Sequence, residues 1–108
     1  MSGKSSKKRA KNRGRKDDLG KPDHTMYPKE ALDMVALVLM HGEKKYGRLN
    51  FNQVKNGRNR YTRAALRHLF SDNGGETVDS ESGLYHLAHA TCSCLMALHF
   101  AIQENKKK

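Results

Sequence analysis

Residues 82–103, SGLYHLAHATCSCLMALHFAIQ, decide how this chain folds. Leu84, Leu87, Ala88, Thr91, Leu95, Leu98 and Ile102 recur at three- and four-residue spacing, the repeat of a helix that turns an apolar stripe toward a core. At about 100° per residue, Ser82, His86, His89 and Ser93 fall in a second line nearly opposite the first. Between Leu84 and Ile102 there is no Asp, Glu, Lys or Arg, so neither side carries the charges of an ordinary surface helix. Both sides are expected to be covered, by the rest of the domain or by a partner subunit, and the imidazoles to have hydrogen-bond partners or a ligand. By itself, HxxH on an apolar helix more often marks hydrogen-bonded core histidines than a metal site.

Working outward, two more helices are legible. YPKEALDMVALVLMHG, residues 27–42, places Pro28 in a first turn, runs Leu32, Val35, Ala36 and Leu39 at helical spacing, and is expected to stop at Gly42. NRYTRAALRHLFSDNGG, residues 59–75, offers Asn59 as a cap, Tyr61, Ala65, Leu66, Leu69 and Phe70 as apolar positions, and Gly74 and Gly75 as the stop. Between them GRLNFNQVKNG, residues 47–57, has no sustained period and reads as an irregular excursion. No alternating strand pattern and no internal repeat is visible. The expected fold is all-α, a small bundle of about three main helices, with a disordered basic tail over 1–20, a helical domain over 21–104 and a basic C-terminal tail over 105–108.

The charge is unevenly spread. The chain of 108 residues has a formal charge of +10, yet residues 1–16 hold eight cations and no acid, and the last three residues are all lysine. The body between is near neutral. The arm cannot bury enough apolar surface to offset the entropy of ordering, and its charge suits a nucleic-acid contact, a targeting signal or simple solubility. No apolar run is long enough to span a membrane and the basic N-terminus lacks the apolar segment of a secretory signal, so a cytoplasmic protein is expected. A domain this small has a modest core, which makes a homo-oligomer the expected state. Cys92 and Cys94, two apart on a helix, point in different directions and are read as small reduced core residues rather than a disulfide or zinc pair.

Two segments carry candidate chemistry. Asp72, Glu76, Asp79 and Glu81 crowd into ten residues just ahead of the histidine helix, while positions 44–71 contain no acid. Carboxylates beside His68, His86 and His89 suit a divalent cation: mixed oxygen and nitrogen ligands favour Mn²⁺ or Zn²⁺, whereas Mg²⁺ prefers oxygen. The competing reading is a solvated turn with acids at a helix N-terminus. In the acid-free segment lie Lys44, Lys45, Arg48, Lys55, Arg58, Arg60, Arg63 and Arg67, with Tyr46, Asn50, Phe51 and Tyr61 interleaved. Such cations neutralise phosphates, and the aromatic rings offer stacking faces for a base. Lys55, Arg58 and Arg60 are read as solvated. A cationic, aromatic segment next to a carboxylate and histidine segment is the equipment of a metal-assisted nucleotide phosphohydrolase.

Four motifs, KYGxxN at 45–50, RHL at 67–69, GExxDxESG at 75–83 and HLAHA at 86–90, together resemble a phage-encoded family, the N-terminal domain of dATP/dGTP diphosphohydrolases, with a further likeness to the all-α NTP pyrophosphohydrolases of the MazG kind. The resemblance covers about residues 21–100. It implies a metal-dependent enzyme that splits a purine deoxynucleoside triphosphate into monophosphate and pyrophosphate. The residues expected to do this, assigned from the segregation of charge and not from the family name, are Glu76, Asp79 and Glu81 as catalytic acids, Lys44, Lys45, Tyr46, Arg48, Asn50, Phe51, Arg63 and Arg67 as the nucleotide site, and His68, Asp79, His86 and His89 as ligands of Mg²⁺ or Mn²⁺, with Zn²⁺ as the alternative. Phe51 stands where most relatives have tryptophan, keeping the stacking face without the indole donor. The third helix lacks the ExxE and ExxD pairs of the MazG kind, which leaves two other readings open: capture of a nucleotide without turnover, as in countering a host defence, and nucleic-acid binding through the arm.

Overall fold

The computed structural model describes residues 17–108 together with Gly14. The basic arm expected over 1–20 therefore lies, Gly14 apart, outside the described residues up to position 16. Among the described residues are three α-helices and no strand: α1 (Lys29–Tyr46), α2 (Gly57–Asn73) and α3 (His86–Lys106), with short 3₁₀ turns at His24–Met26 and Asn50–Gln53. The all-α expectation holds.

The helix ends differ from the sequence reading in instructive ways. α1 starts where Pro28, fixed at φ −66°, caps it and accepts the Leu32 N–H at 3.0 Å. It then passes through Gly42 and ends at Gly47, whose φ of 94° only glycine adopts cheaply. Gly42 stays helical because a glycine ends a helix by taking a left-handed conformation, and a helical one costs only about 1 kcal/mol against alanine. Glu30 in the first turn and Lys44 and Lys45 in the last complement the helix dipole. α2 begins at Gly57 rather than after Asn59, and Asn56 at φ 55° reverses the chain into it without a side-chain cap. There a Cβ on Gly57 would collide with the Phe100 ring of α3, so only a glycine leaves room for that ring. α3 begins at His86, four residues later than Ser82, and continues to Lys106.

α3 is the central element. It packs along α2 and against α1, while α1 and α2 barely meet. On an ideal helix, Ala88 and Cys92 form one buried edge and His86 and Ala90 another about 160–200° away, with His89 midway between them. The first edge meets Val35 and Val38 of α1 in the apolar core, with Met34 and Leu84 beside it. The second faces α2, where Ala65 is buried and His68 meets His86. Small side chains on both edges let the flanking helices come close. His89 is left under the gap between them.

Of the two sides of α3 expected to be covered, one is. The polar line of His86, His89 and Ser93 points inward. Of the stripe read as core-directed, Ala88 and Leu84 join the core, whereas Leu87, Leu95, Leu98 and Ile102 are 44–55 % exposed and Thr91 is exposed as well. The core of this single chain is thin, with no large side chain fully buried among the described residues. Cys92 is a free buried thiol, pushed up in pKa by desolvation, but Cys94 is exposed, which corrects its reading as a core residue.

Candidate active site

The loop from Gly74 to Tyr85 explains the GExxDxESG spelling. Gly75 and Gly83 adopt positive φ, 106° and 74°. The Asp79 N–H donates to the Leu84 carbonyl at 2.9 Å, and the His86 N–H to the Thr77 carbonyl at 3.0 Å, so Val78 and Tyr85 form one isolated antiparallel bridge. The second bond also satisfies one of the orphan amides of the α3 N-terminus. Within the loop, Asp79 Oδ1 accepts the Glu81 N–H at 2.8 Å, an Asx turn that fixes the carboxylate. Its Oδ2 lies 3.8 Å from His89 Nε2. Ser82 Oγ accepts the Leu84 N–H at 3.1 Å and is hydrogen-bonded at 2.7 Å to the same His89 nitrogen. The loop is thus a clamp that holds one acid and one hydroxyl against the inner face of α3.

Three histidines converge beneath it. The His68 and His89 rings stack at 4.6 Å with planes 12° apart, and His41 meets His89 edge-on at 6.5 Å. His68, Asp79 and His89 each offer a ligand atom, and these atoms lie within 4.8 Å of one another. Burial holds the His68 and His89 pKa values below 6.5, with neighbouring imidazoles adding to the effect and Asp79 opposing it. Neutral imidazole is the form that carries a lone pair for a metal or a proton. For Asp79 burial pushes the pKa up, but the Glu81 amide and the three rings outweigh it, and the carboxyl titrates below its usual range. Two neutral imidazoles and one ionised carboxylate, mostly shielded from water, fit a divalent cation, and this N,N,O set fits Mn²⁺ or Zn²⁺ better than Mg²⁺.

The other expected ligands and acids are differently disposed. His86 is buried and engaged at both nitrogens: Nδ1 with His68 Nδ1 at 2.8 Å, Nε2 with Glu76 Oε1 at 2.7 Å. Glu76 thus stands behind the cluster. Glu81 lines the cleft but stands outside the ligand cluster and binds Lys45 Nζ at 2.8 Å, a pair that lowers the Glu81 pKa and raises that of Lys45.

The cluster opens into a cleft of about 470 Å³ between α1, α2 and the 47–54 excursion, within the size range of small-molecule sites. Of the expected nucleotide residues, Lys45, Tyr46, Asn50, Phe51 and Arg67 line it. Gly47 and Leu49, both at positive φ, turn the chain after α1 so that Asn50 and Phe51 close one end. The Phe51 ring rests edge-on against His99 at 5.2 Å. Lys44, Arg48 and Arg63 are not among the lining residues, and Arg48 is paired with Glu43 at 3.0 Å on the surface. Tyr61, one of the interleaved aromatics, and Ser82, from the polar line of His86 and His89, also line the cleft, as does His41, to which the sequence reading assigns no place in the site. His41 is legible in principle: once α1 is carried past Gly42, it follows Val38 by three residues and shares its face.

Comparison with known proteins gives the same direction. The profile described as dATP/dGTP diphosphohydrolase, N-terminal, matches residues 11–108. A protein named dATP/dGTP diphosphohydrolase from Salmonella phage PMBT28 is 38 % identical over 77 residues, which cover 71 % of this chain and 26 % of that protein. The match therefore spans about a quarter of the relative's length. No solved structure matches the chain. With a family profile that accounts for nearly the whole sequence, the chain belongs to the dATP/dGTP diphosphohydrolase N-terminal family.

Proposed function

We propose that this domain binds a purine deoxynucleoside triphosphate beside a divalent cation and takes part in its hydrolysis to the monophosphate and pyrophosphate. The observation that carries the reading is the convergence of His68, Asp79 and His89 at the base of a cleft that is also lined by Lys45, Arg67, Tyr46 and Phe51. Family membership and the name of the phage relative support the substrate class.

His68, Asp79 and His89 would hold the cation, which supplies charge to acidify a water and polarise a phosphorus–oxygen bond. Arg67 gives two parallel N–H donors to phosphate oxygens, and Lys45 a point charge that Glu81 aims across the cleft. Tyr46 and Phe51 offer faces to the base. The Asx turn at Asp79 keeps its carboxylate ionised and fixed, so little reorganisation accompanies binding. The test is pyrophosphate release from dATP and dGTP with Mg²⁺, Mn²⁺ or Zn²⁺. Release that depends on the cation supports turnover; none from any nucleoside triphosphate overturns it.

Capture without turnover is the second reading, favoured by one observation: of the three expected acids, only Asp79 reaches the ligand cluster. Calorimetry with the nucleotide recovered intact supports it, and absence of affinity removes both readings. The exposed leucine stripe of α3 leads us to propose a second copy as its cover, giving a homo-oligomer, which light scattering tests directly. Contact between the basic arm and nucleic acid stays a separate proposal; loss of DNA binding on deleting residues 1–20 would support it, and unchanged binding would refute it.

A further inference from the structure

Proton counting along the hydrogen bonds behind the site yields an assignment that the convergence of ligands does not. Glu76 Oε1 lies 2.7 Å from His86 Nε2, and His86 Nδ1 lies 2.8 Å from His68 Nδ1. An ionised carboxylate only accepts, so the His86 nitrogen facing it must carry a proton. The 2.8 Å contact between two Nδ1 atoms also needs a proton, since two facing lone pairs repel. With both rings in the neutral form there are two ring protons for four nitrogens. One sits on His86 Nε2, the other in the Nδ1–Nδ1 bond, where neutral His86 can only accept. It therefore belongs to His68 Nδ1, and His68 Nε2 is left as a bare lone pair.

We propose that Glu76 and His86 are positioning residues, a relay that fixes His68 as the Nδ1–H tautomer so that its Nε2 is permanently presented as a ligand atom. The proposal deepens the cation reading above and rests on it for its purpose, though the tautomer itself does not depend on a cation being bound. Ligating histidines are commonly held by such an outer partner, usually a single carboxylate or carbonyl. Here a second histidine is interposed, because α2 lies on the far side of buried His86 while Glu76, 56 % exposed, reaches only the near nitrogen. The arrangement also accounts for an imidazole at the buried start of α3, where an apolar side chain would pack at less desolvation cost.

The test is long-range ¹H–¹⁵N spectroscopy of the cation-free full chain labelled at histidine, together with Mn²⁺ and Zn²⁺ titrations of the wild type, Glu76→Ala and Glu76→Gln. The expected wild-type spectrum has His68 protonated at Nδ1 and His86 at Nε2. Glu76→Gln keeps a carbonyl that accepts the same proton and should retain both tautomers and most of the affinity. Glu76→Ala should give mixed tautomers at both rings and a roughly 10- to 100-fold weaker cation affinity, as seen for lost outer partners. Since Glu76 is half exposed and caps no helix, both variants should fold. His68 protonated at Nε2 in the wild type, or unchanged tautomers and affinity in Glu76→Ala, would overturn the relay. Correct tautomers in a chain that binds no cation would instead sink the cation reading and leave the tautomer assignment standing.

Discussion

The two sides of α3 teach opposite lessons about what a helix buries. Its outer side carries Leu87, Leu95, Leu98 and Ile102 and is open to solvent. Its inner side carries His86, His89 and Ser93 and is covered by two helices and a loop. Hydrophobic burial alone would place them the other way round, since each buried leucine is worth about 1.5–3 kcal/mol and each buried imidazole must first find hydrogen bonds. The inner side is favoured because its polar atoms are partnered, by Glu76, His68 and Ser82. Alanines on either flank allow close packing. Among the described residues the outer stripe is left about half exposed, which is the surface that a second copy, as proposed above, would cover.

The comparison can be broken most sharply at Asp79. Asp79→Asn keeps the Asx turn, whose acceptor oxygen survives in the amide, but removes the one anionic ligand. Cation affinity measured by calorimetry should fall by at least about 100-fold, as much as or more than an outer partner costs, with the melting temperature of the cation-free chain little changed. Equal affinity would show that the inner face is an ordinary hydrogen-bonded core. Next in size is the packing contact at the far end of the same face. Gly57→Ala should destabilise by about 1–3 kcal/mol in urea unfolding, because the added methyl meets the Phe100 ring. A neutral or stabilising result would mean that the ring swings aside.

A smaller effect is expected from acid. His68 and His89 hold protons less readily folded than unfolded, so below 6.5 the unfolded chain binds more of them and stability falls as pH drops toward the folded values. Asp79 has the same sign but contributes only below its ordinary 3.8. Thermal melts of the cation-free chain from about pH 7.5 to about 5.5 should therefore decline. A flat profile would show that the imidazoles are solvated. The least effect on folding belongs to the outer face: Leu98→Glu should change the stability of the dilute chain by under about 0.5 kcal/mol. Its consequence lies in light scattering, where the mass should fall to that of one chain; an unchanged oligomer would place the interface elsewhere.

How much of the site is legible depends on whether a residue's partner is local. Asp79 and His89 belong to segments only ten residues apart, and their motif spells a clamp. His68 stands out as a nearby candidate on the neighbouring helix. The roles of Glu76 and His86 could not be read, because whether a histidine binds a metal or another histidine depends on which ring nitrogen faces which neighbour. The cations show the same limit. Lys45 and Arg67 line the cleft while Lys44, Arg48 and Arg63 do not, although all stand in one acid-free run. Neighbouring residues on a helix point about 100° apart, so a run of charge cannot all face one cavity.

By itself the sequence determined three amphipathic helices, the absence of strands among the described residues, the glycine-bounded loop before α3 and the family to which the chain belongs. These follow from periodicity, backbone-permissive residues and spelling, all of which are local. The tertiary structure alone decided that the histidine face turns inward and the leucine face outward, that α1 runs past Gly42 to bring His41 and Lys45 to the cleft, and that His86 sits between Glu76 and His68. Those outcomes depend on which elements compete to cover α3 and on hydrogen bonds between residues distant in sequence, and neither is encoded in the period of any one helix.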